Sequence, residues 1–482
     1  MTDHLKRKYG LFTAIAMVVG IVIGSGVFFK SEKVLQATGG DMPLGILAWL
    51  IGGVIMLSCS LAFAVMAGRY EKANGAVDYA EATCGTGYAY MMGWFLCTIY
   101  YPSLAGVLAW VSARFTIVFI TSVNPGFGLL VPVSQGGAII GPECMVIAAF
   151  YLIASYTLNT LAPRLAGKFQ VSATVIKLIP LVLMAVVGTI YGLLHGITLE
   201  NFTKTAAVSV ESVVRVSPLF AAVVAVAFAY DGWIVATSIN AELKNSKRNL
   251  PLALVFGAII VITVYVLYYI GLAGGATTEQ LVQNATSPFV NIFGPVVGTV
   301  LFLFITISCL GTLNGLMLGC TRGLYFLAAR NQGPNPKMFE KLDPSTNMPA
   351  NSAVIGLLLS VFWFLYFYGA NLSSGWFGVF NFDSSELPIV SAYSMYIPIL
   401  ILFMVKEKNA SPVKRFVVPA LAVCGCVFMV ISAVFSHGVV PFLEAKEQGR
   451  FSMPILFYLI VFAVFMGAGM LLNRKRQAQT ET

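Results

Sequence analysis

Three stretches of this chain hold polar or flexible residues where apolar sequence would otherwise run unbroken. In GIVIGSGVFF, residues 20–29, Gly24, Ser25 and Gly26 stand at the centre of a long apolar run, where paired glycines weaken a helix. In VAFAYDGWIVA, residues 226–236, Asp231 and Gly232 interrupt a second run. In VSATVIKLIPLVLM, Lys177 carries a charge deep inside a third. A helix that unwinds part-way across a membrane frees N–H groups on one half and C=O groups on the other, with opposite partial charges. That pair of charges suits a zwitterion. The amides at Ser25 and Gly26 would hold a carboxylate, as helix N-termini do, and the carbonyls of Val22, Ile23, Phe228 and Ala229 would accept an ammonium. The candidate binding residues are therefore Ile23, Gly24, Ser25, Gly26, Phe228, Ala229, Tyr230 and Asp231. Glycine also lets a ligand approach the backbone with no Cβ in the way. One small-residue motif alone reads as a helix-packing face; two breaks at matching positions, one with a mid-span Asp, favour a site.

Asp231 has three readings: it receives a cationic part of a ligand, hydrogen-bonds the unwound backbone, or pairs with Lys177 or Arg114. An ammonium at the depth of Lys177 costs about 2.5–3.5 kcal/mol on insertion scales, so it should face the bundle interior and find partners, unless it snorkels to the nearer surface. Arg114 and Arg322 should face an internal vestibule or pair locally, and Tyr100 and Tyr101 are candidate lining residues. Asp383 and Glu386 fall near a helix end, where hydration is cheap.

The elements that must position these residues follow from composition. Of 482 residues, 58% are hydrophobic and 10% charged, with a mean hydropathy of +0.85, which excludes a soluble domain. Runs long enough to cross a bilayer fall at 11–29, 44–66, 88–120, 143–160, 169–194, 217–240, 252–273, 292–327, 352–369, 385–405, 416–436 and 452–472. The chain thus reads as an all-α integral membrane protein of twelve spans, one polytopic domain over 1–482. Longer connections are expected near 121–142, 195–216 and 437–451. Lys and Arg crowd into alternate loops, among them Lys6 to Lys8, Lys244 to Arg248, Lys406 to Arg415 and Arg474 to Arg476, which places both termini in the cytoplasm. The net charge of +9 then needs no nucleic acid partner. The eight cysteines lie mostly in or beside apolar spans without metal-ligand spacing, so neither a metal nor a cofactor is expected. His4, His195 and His437 lie away from the breaks, and no nucleophile stands beside a base, so an enzyme is not expected. A channel is disfavoured by the lack of a selectivity motif. Breaks in spans 1 and 6 point to two inverted repeats of five helices.

IGSGVF, GAVDYAEATCG, FAYDGW with AELKNSKRNLP, and GTLNGLMLGCTRGLYFLAARNQGP resemble the amino acid–polyamine–organocation superfamily, and within it the bacterial relatives of the L-type amino acid exchangers. The resemblance extends to about residue 405. It implies a LeuT-like fold, with one repeat over 11–194, the second over 217–405 and two further helices over 416–472. It implies alternating access around a substrate held between spans 1 and 6, with Phe228 as gate. In sodium-independent members a span 5 lysine stands where sodium would, bridging the span 1 break to span 8 and satisfying the carbonyls sodium would hold, which assigns that role to Lys177, with Ser308 and Thr312 of span 8 as candidate partners. The implied activity is sodium-independent transport of amino acids across a bacterial inner membrane, by exchange, with neutral substrates alone and neutral with cationic ones both open. A proton-coupled importer of amino acids or polyamines is the alternative, and a non-transporting amino acid sensor the rival of another class. Animal exchangers carry a cysteine between spans 3 and 4 that links a heavy chain; residues 121–142 hold none, so no disulfide-linked partner is expected.

Overall fold

The computed structural model describes residues 10–70, 75–127, 141–203, 217–236, 243–372 and 376–481. Among these the regular elements are all helical. The first expected span is two helices, α1 (Leu11–Val22) and α2 (Gly26–Ala37), bent by 50°. There follow α3 (Met42–Ala67), α4 (Ala76–Cys84), α5 (Thr86–Val123), α6 (Pro142–Leu161) and α7 (Pro163–Leu194). The sixth expected span is α8 (Ser217–Tyr230) and α9 (Trp233–Ala236), and its continuation to residue 240 lies outside the described residues. The remainder are α10 (Ser246–Ala273), α11 (Ser287–Ala328), α12 (Ala350–Leu372), α13 (Leu387–Lys406), α14 (Val413–Glu447) and α15 (Pro454–Arg474).

Among the described residues ten helices are long and apolar enough to cross a membrane, and the bent α1–α2 pair makes eleven. α8 is too short to pass that test alone. Two expected connections differ: the chain stays helical to Glu447, and Ile197–Thr203 forms a short helix. Glu444, Lys446 and Glu447 dilute the apolar signal there without breaking the backbone.

Local sequence explains the boundaries. The Asp41 carboxylate accepts the Leu44 amide at 2.9 Å and caps α3, an N-terminal arrangement that stabilises helices by about 1 kcal/mol. In α5 a wide π turn spans Leu96–Tyr100 just before Pro102, whose missing N–H leaves a carbonyl unpaired. α11 kinks at Gly294, where φ is 76°, ahead of Pro295. Packing then brings α2 against α8, α1 against α9, α3 against α10, α5 against α11 and α6 against α12. The two interrupted spans meet at the centre of this arrangement.

Candidate substrate site

α1 ends at Val22 because Ile23 adopts an extended backbone, with ψ of 110°, and α2 restarts at Gly26. α8 ends at Tyr230, and Gly232, at φ 99°, turns the chain into α9; that left-handed conformation disfavours any residue with a side chain. The two breaks touch. A Cβ on Gly26 would lie 2.5 Å from Ala229 Cα, and one on Gly232 would lie 3.3 Å from the Ile21 carbonyl oxygen. Ile23, Gly24, Ser25, Gly26, Phe228 and Ala229 thus gather in one buried place. The Tyr230 side chain leaves it, donating instead to the Trp49 carbonyl of α3 at 2.9 Å.

The backbone groups freed by the breaks have identifiable partners. The Gly20 carbonyl would bond the Gly24 amide in a continuous helix; it accepts Lys177 Nζ at 2.5 Å instead. Lys177 is buried, and its ammonium stands at the negative end of α1, where a cation is stabilised. It does not snorkel. Nor does it reach span 8: Ser308 Oγ is buried with no hydrogen-bond partner, and Thr312 Oγ1 donates to the Ser308 carbonyl while accepting the Ser25 amide at 3.4 Å. Thr312 therefore links span 8 to the break directly. Val22 and Ala229, expected to offer free carbonyls, both lie within reach of Tyr265 Oη on α10, at 3.2 and 3.1 Å. This residue escaped the sequence reading because a tyrosine in an apolar span carries no local mark. Ser25 Oγ is, like Ser308 Oγ, buried and unpartnered; such hydroxyls are the exception in folded proteins.

Asp231 pairs with neither Lys177 nor Arg114. It accepts the Tyr100 hydroxyl, which the π turn of α5 aims at the break. Asp231, Tyr100, Tyr101 and Tyr396 line a cavity of about 430 Å³ that runs to α4, Arg322 and Arg330. At its far end Arg330 pairs with Asp78 and, at 3.4 Å, Glu81 of α4.

The opposite end of the bundle is shut. Lys30 of α2, 0% exposed, donates to Glu386 Oε1 at 2.7 Å and Ser385 Oγ at 3.0 Å. His437 Nε2 lies 3.1 Å from Glu386 Oε2, and Arg114 pairs with Glu32 at 2.5 Å. Phe228 packs edge-on against Phe29 and beneath the Lys30 ammonium, 5.2 Å from its ring centre. Glu386 is thus a buried partner rather than a hydrated end residue, and His437 is joined to the breaks through it. The sequence reading missed both because Lys30 and Glu386 are 356 residues apart.

Residues 9–476 match the model of the amino acid permease family. The chain belongs to that family. Its relatives include the serine/threonine exchanger SteT of Bacillus subtilis, 29% identical over 90% of this chain and 92% of the relative. The b(0,+)-type amino acid transporter 1 of Mus musculus is 23% identical over 95% and 93%. The human cystine/glutamate transporter is 23% identical over 90% and 81%. This permease is therefore a multi-pass amino acid transporter with a LeuT-like fold, not an enzyme.

Proposed function

We propose that this permease is a sodium-independent amino acid exchanger of a bacterial inner membrane, with both termini in the cytoplasm and the substrate between spans 1 and 6. The observation that carries the reading is Lys177 Nζ on the Gly20 carbonyl, at the point where the first span is broken: a side chain of the protein satisfies the helix end that would otherwise call for a bound cation. The substrate carboxylate lies at the amides of Ser25 and Gly26, and its ammonium at the carbonyls around Ile23 and Phe228. Tyr265 shares the Val22 and Ala229 carbonyls. The pairwise packing of spans 1 with 6, 2 with 7, 3 with 8 and 4 with 9 supports repeats over 11–194 and 217–405, with 416–472 added.

With this orientation the cavity faces the cytoplasm and the Lys30–Glu386 end faces outward. Phe228, held under that closed end, acts as the outer gate. Thr312 and Ser308 support the break from span 8. Asp231 extends the range of substrates toward basic side chains, in keeping with a relative named for b(0,+)-type amino acid transport.

Uptake of a labelled amino acid panel into proteoliposomes tests this. Uptake that needs internal amino acid, and ignores both sodium and a proton gradient, supports the exchanger. Gradient-driven uptake into empty vesicles would replace it with a proton-coupled importer. Binding without flux would make the chain a sensor.

A further inference from the structure

The cavity between Asp231 and α4 has two guanidinium groups on its wall, and they differ. Arg330 is neutralised by Asp78 and Glu81. Among the described residues Arg322, partly buried on α11, has no carboxylate partner: its one hydrogen bond there is to Met348 Sδ at 3.7 Å, a weak acceptor. A guanidinium removed from bulk water normally finds carboxylate or phosphate oxygens. Here the oxygens must come from whatever enters the cavity. Gly315, Gly319 and Arg322 lie on one face of α11 and all line this space, so the wall leading to Arg322 is low. At about 430 Å³ the cavity falls within the range of small-molecule sites, about 300–1,000 Å³.

We propose that Arg322 holds the carboxylate of a second, weaker amino acid binding site in this cavity, separate from the site at the helix breaks. The proposal rests on the reading that the permease carries amino acids. Ten residues separate Thr312, which touches the Ser25 amide, from Arg322; that is about 15 Å along the helix. One α-carboxylate cannot lie at both. Asp231 stands at the boundary of the two sites: it lines the same cavity and supplies the charge opposite to that of Arg322, so the space is complementary to a zwitterion rather than to a simple anion. The planar fork of Arg322 favours a bidentate carboxylate over a spherical ion.

Equilibrium binding of the labelled amino acid with the highest flux, on purified full-length permease, tests the proposal. Two classes of site are expected, with the weaker at least tenfold lower in affinity. In Arg322→Gln the weaker class disappears and the tight class stays within twofold. Arg322→Lys, which keeps the charge but not the fork, should weaken that class several-fold, and it serves alone if the Gln variant does not fold. A single class in the parent, a weaker class unchanged in either variant, or equal loss of both classes in a folded Arg322→Gln would overturn it. If no amino acid is transported or bound by the parent, the transport reading itself has failed, a result distinct from these.

Discussion

Replacing Glu386 by Gln removes the counter-charge of a lysine that has no contact with solvent. Lys30 Nζ and Glu386 Oε1 are 2.7 Å apart, and Glu386 is also buried. Breaking such a pair from one side costs about 3–5 kcal/mol, because the remaining charge stays buried. In an alternating-access cycle that cost falls only on the conformation closed at this end; once the end opens, water solvates Lys30. A bias of about 3 kcal/mol is a shift of roughly 150-fold between the two states. The effect can be read from Val390→Cys in a cysteine-free background, since Val390 is buried one turn below Glu386 on α13. A membrane-impermeant maleimide applied from the closed face should label it at least tenfold faster in Glu386→Gln than in the parent. Lys30→Met should act in the same direction and leave Glu386 without its direct lysine partner, facing His437. The double variant Lys30→Met with Glu386→Leu should return toward the parent rate, because apolar residues of similar size can replace a buried pair. If labelling in both single variants stays within twofold of the parent while the protein remains folded, the pair does not hold this end shut.

Gly26→Ala places a Cβ 2.5 Å from Ala229 Cα and must push the two breaks apart; overpacking of this kind costs about 1–3 kcal/mol, so exchange should fall at least tenfold while monodispersity on size exclusion is kept. Lys177→Met leaves the Gly20 carbonyl without its donor, a penalty of about 1–3 kcal/mol, and should lower the exchange rate about tenfold or more; unchanged exchange would remove Lys177 from the mechanism. Asp231→Asn keeps an acceptor for the Tyr100 hydroxyl but loses the charge, so competition by basic amino acids should weaken about tenfold with neutral ones little affected. Outside the membrane, Ser345 and Thr346 donate to Asp343 and hold its carboxyl down at about 2. Because that value lies below the ordinary 3.9 or so, the turn's extra order is complete above about pH 4 and is lost as pH falls through about 2. Amide-exchange protection of Ser345 and Thr346, corrected for intrinsic rates, should track that window.

The positions of the breaks were legible in the sequence because glycine and a charged residue are costly in a lipid-spanning helix; Gly24 to Gly26 and Asp231–Gly232 announce themselves without any partner being known. The same cost made Lys177 conspicuous. The resemblance placed it between the carbonyls of the span 1 break and the hydroxyls of span 8; the structure joins it to the break, at the Gly20 carbonyl, because a freed carbonyl at a helix end is a strong draw for a lysine, and not to Ser308 or Thr312. Tyr265, Tyr100 and the Lys30–Glu386–His437 chain were hidden. Each is an ordinary residue type for its setting and gains its role only from what faces it.

By itself the sequence determined that this chain lives in a membrane as a helical bundle, where its helices fail, and which residues are too costly to be idle. These are properties of single segments, set by hydropathy and by backbone propensity. Only the tertiary structure decided what the freed amides and carbonyls bond to, that one end of the bundle is shut by buried ion pairs, and that Arg322 reaches the cavity wall with no carboxylate partner among the described residues. Those are relations between helices hundreds of residues apart, fixed by packing, and no local pattern encodes them.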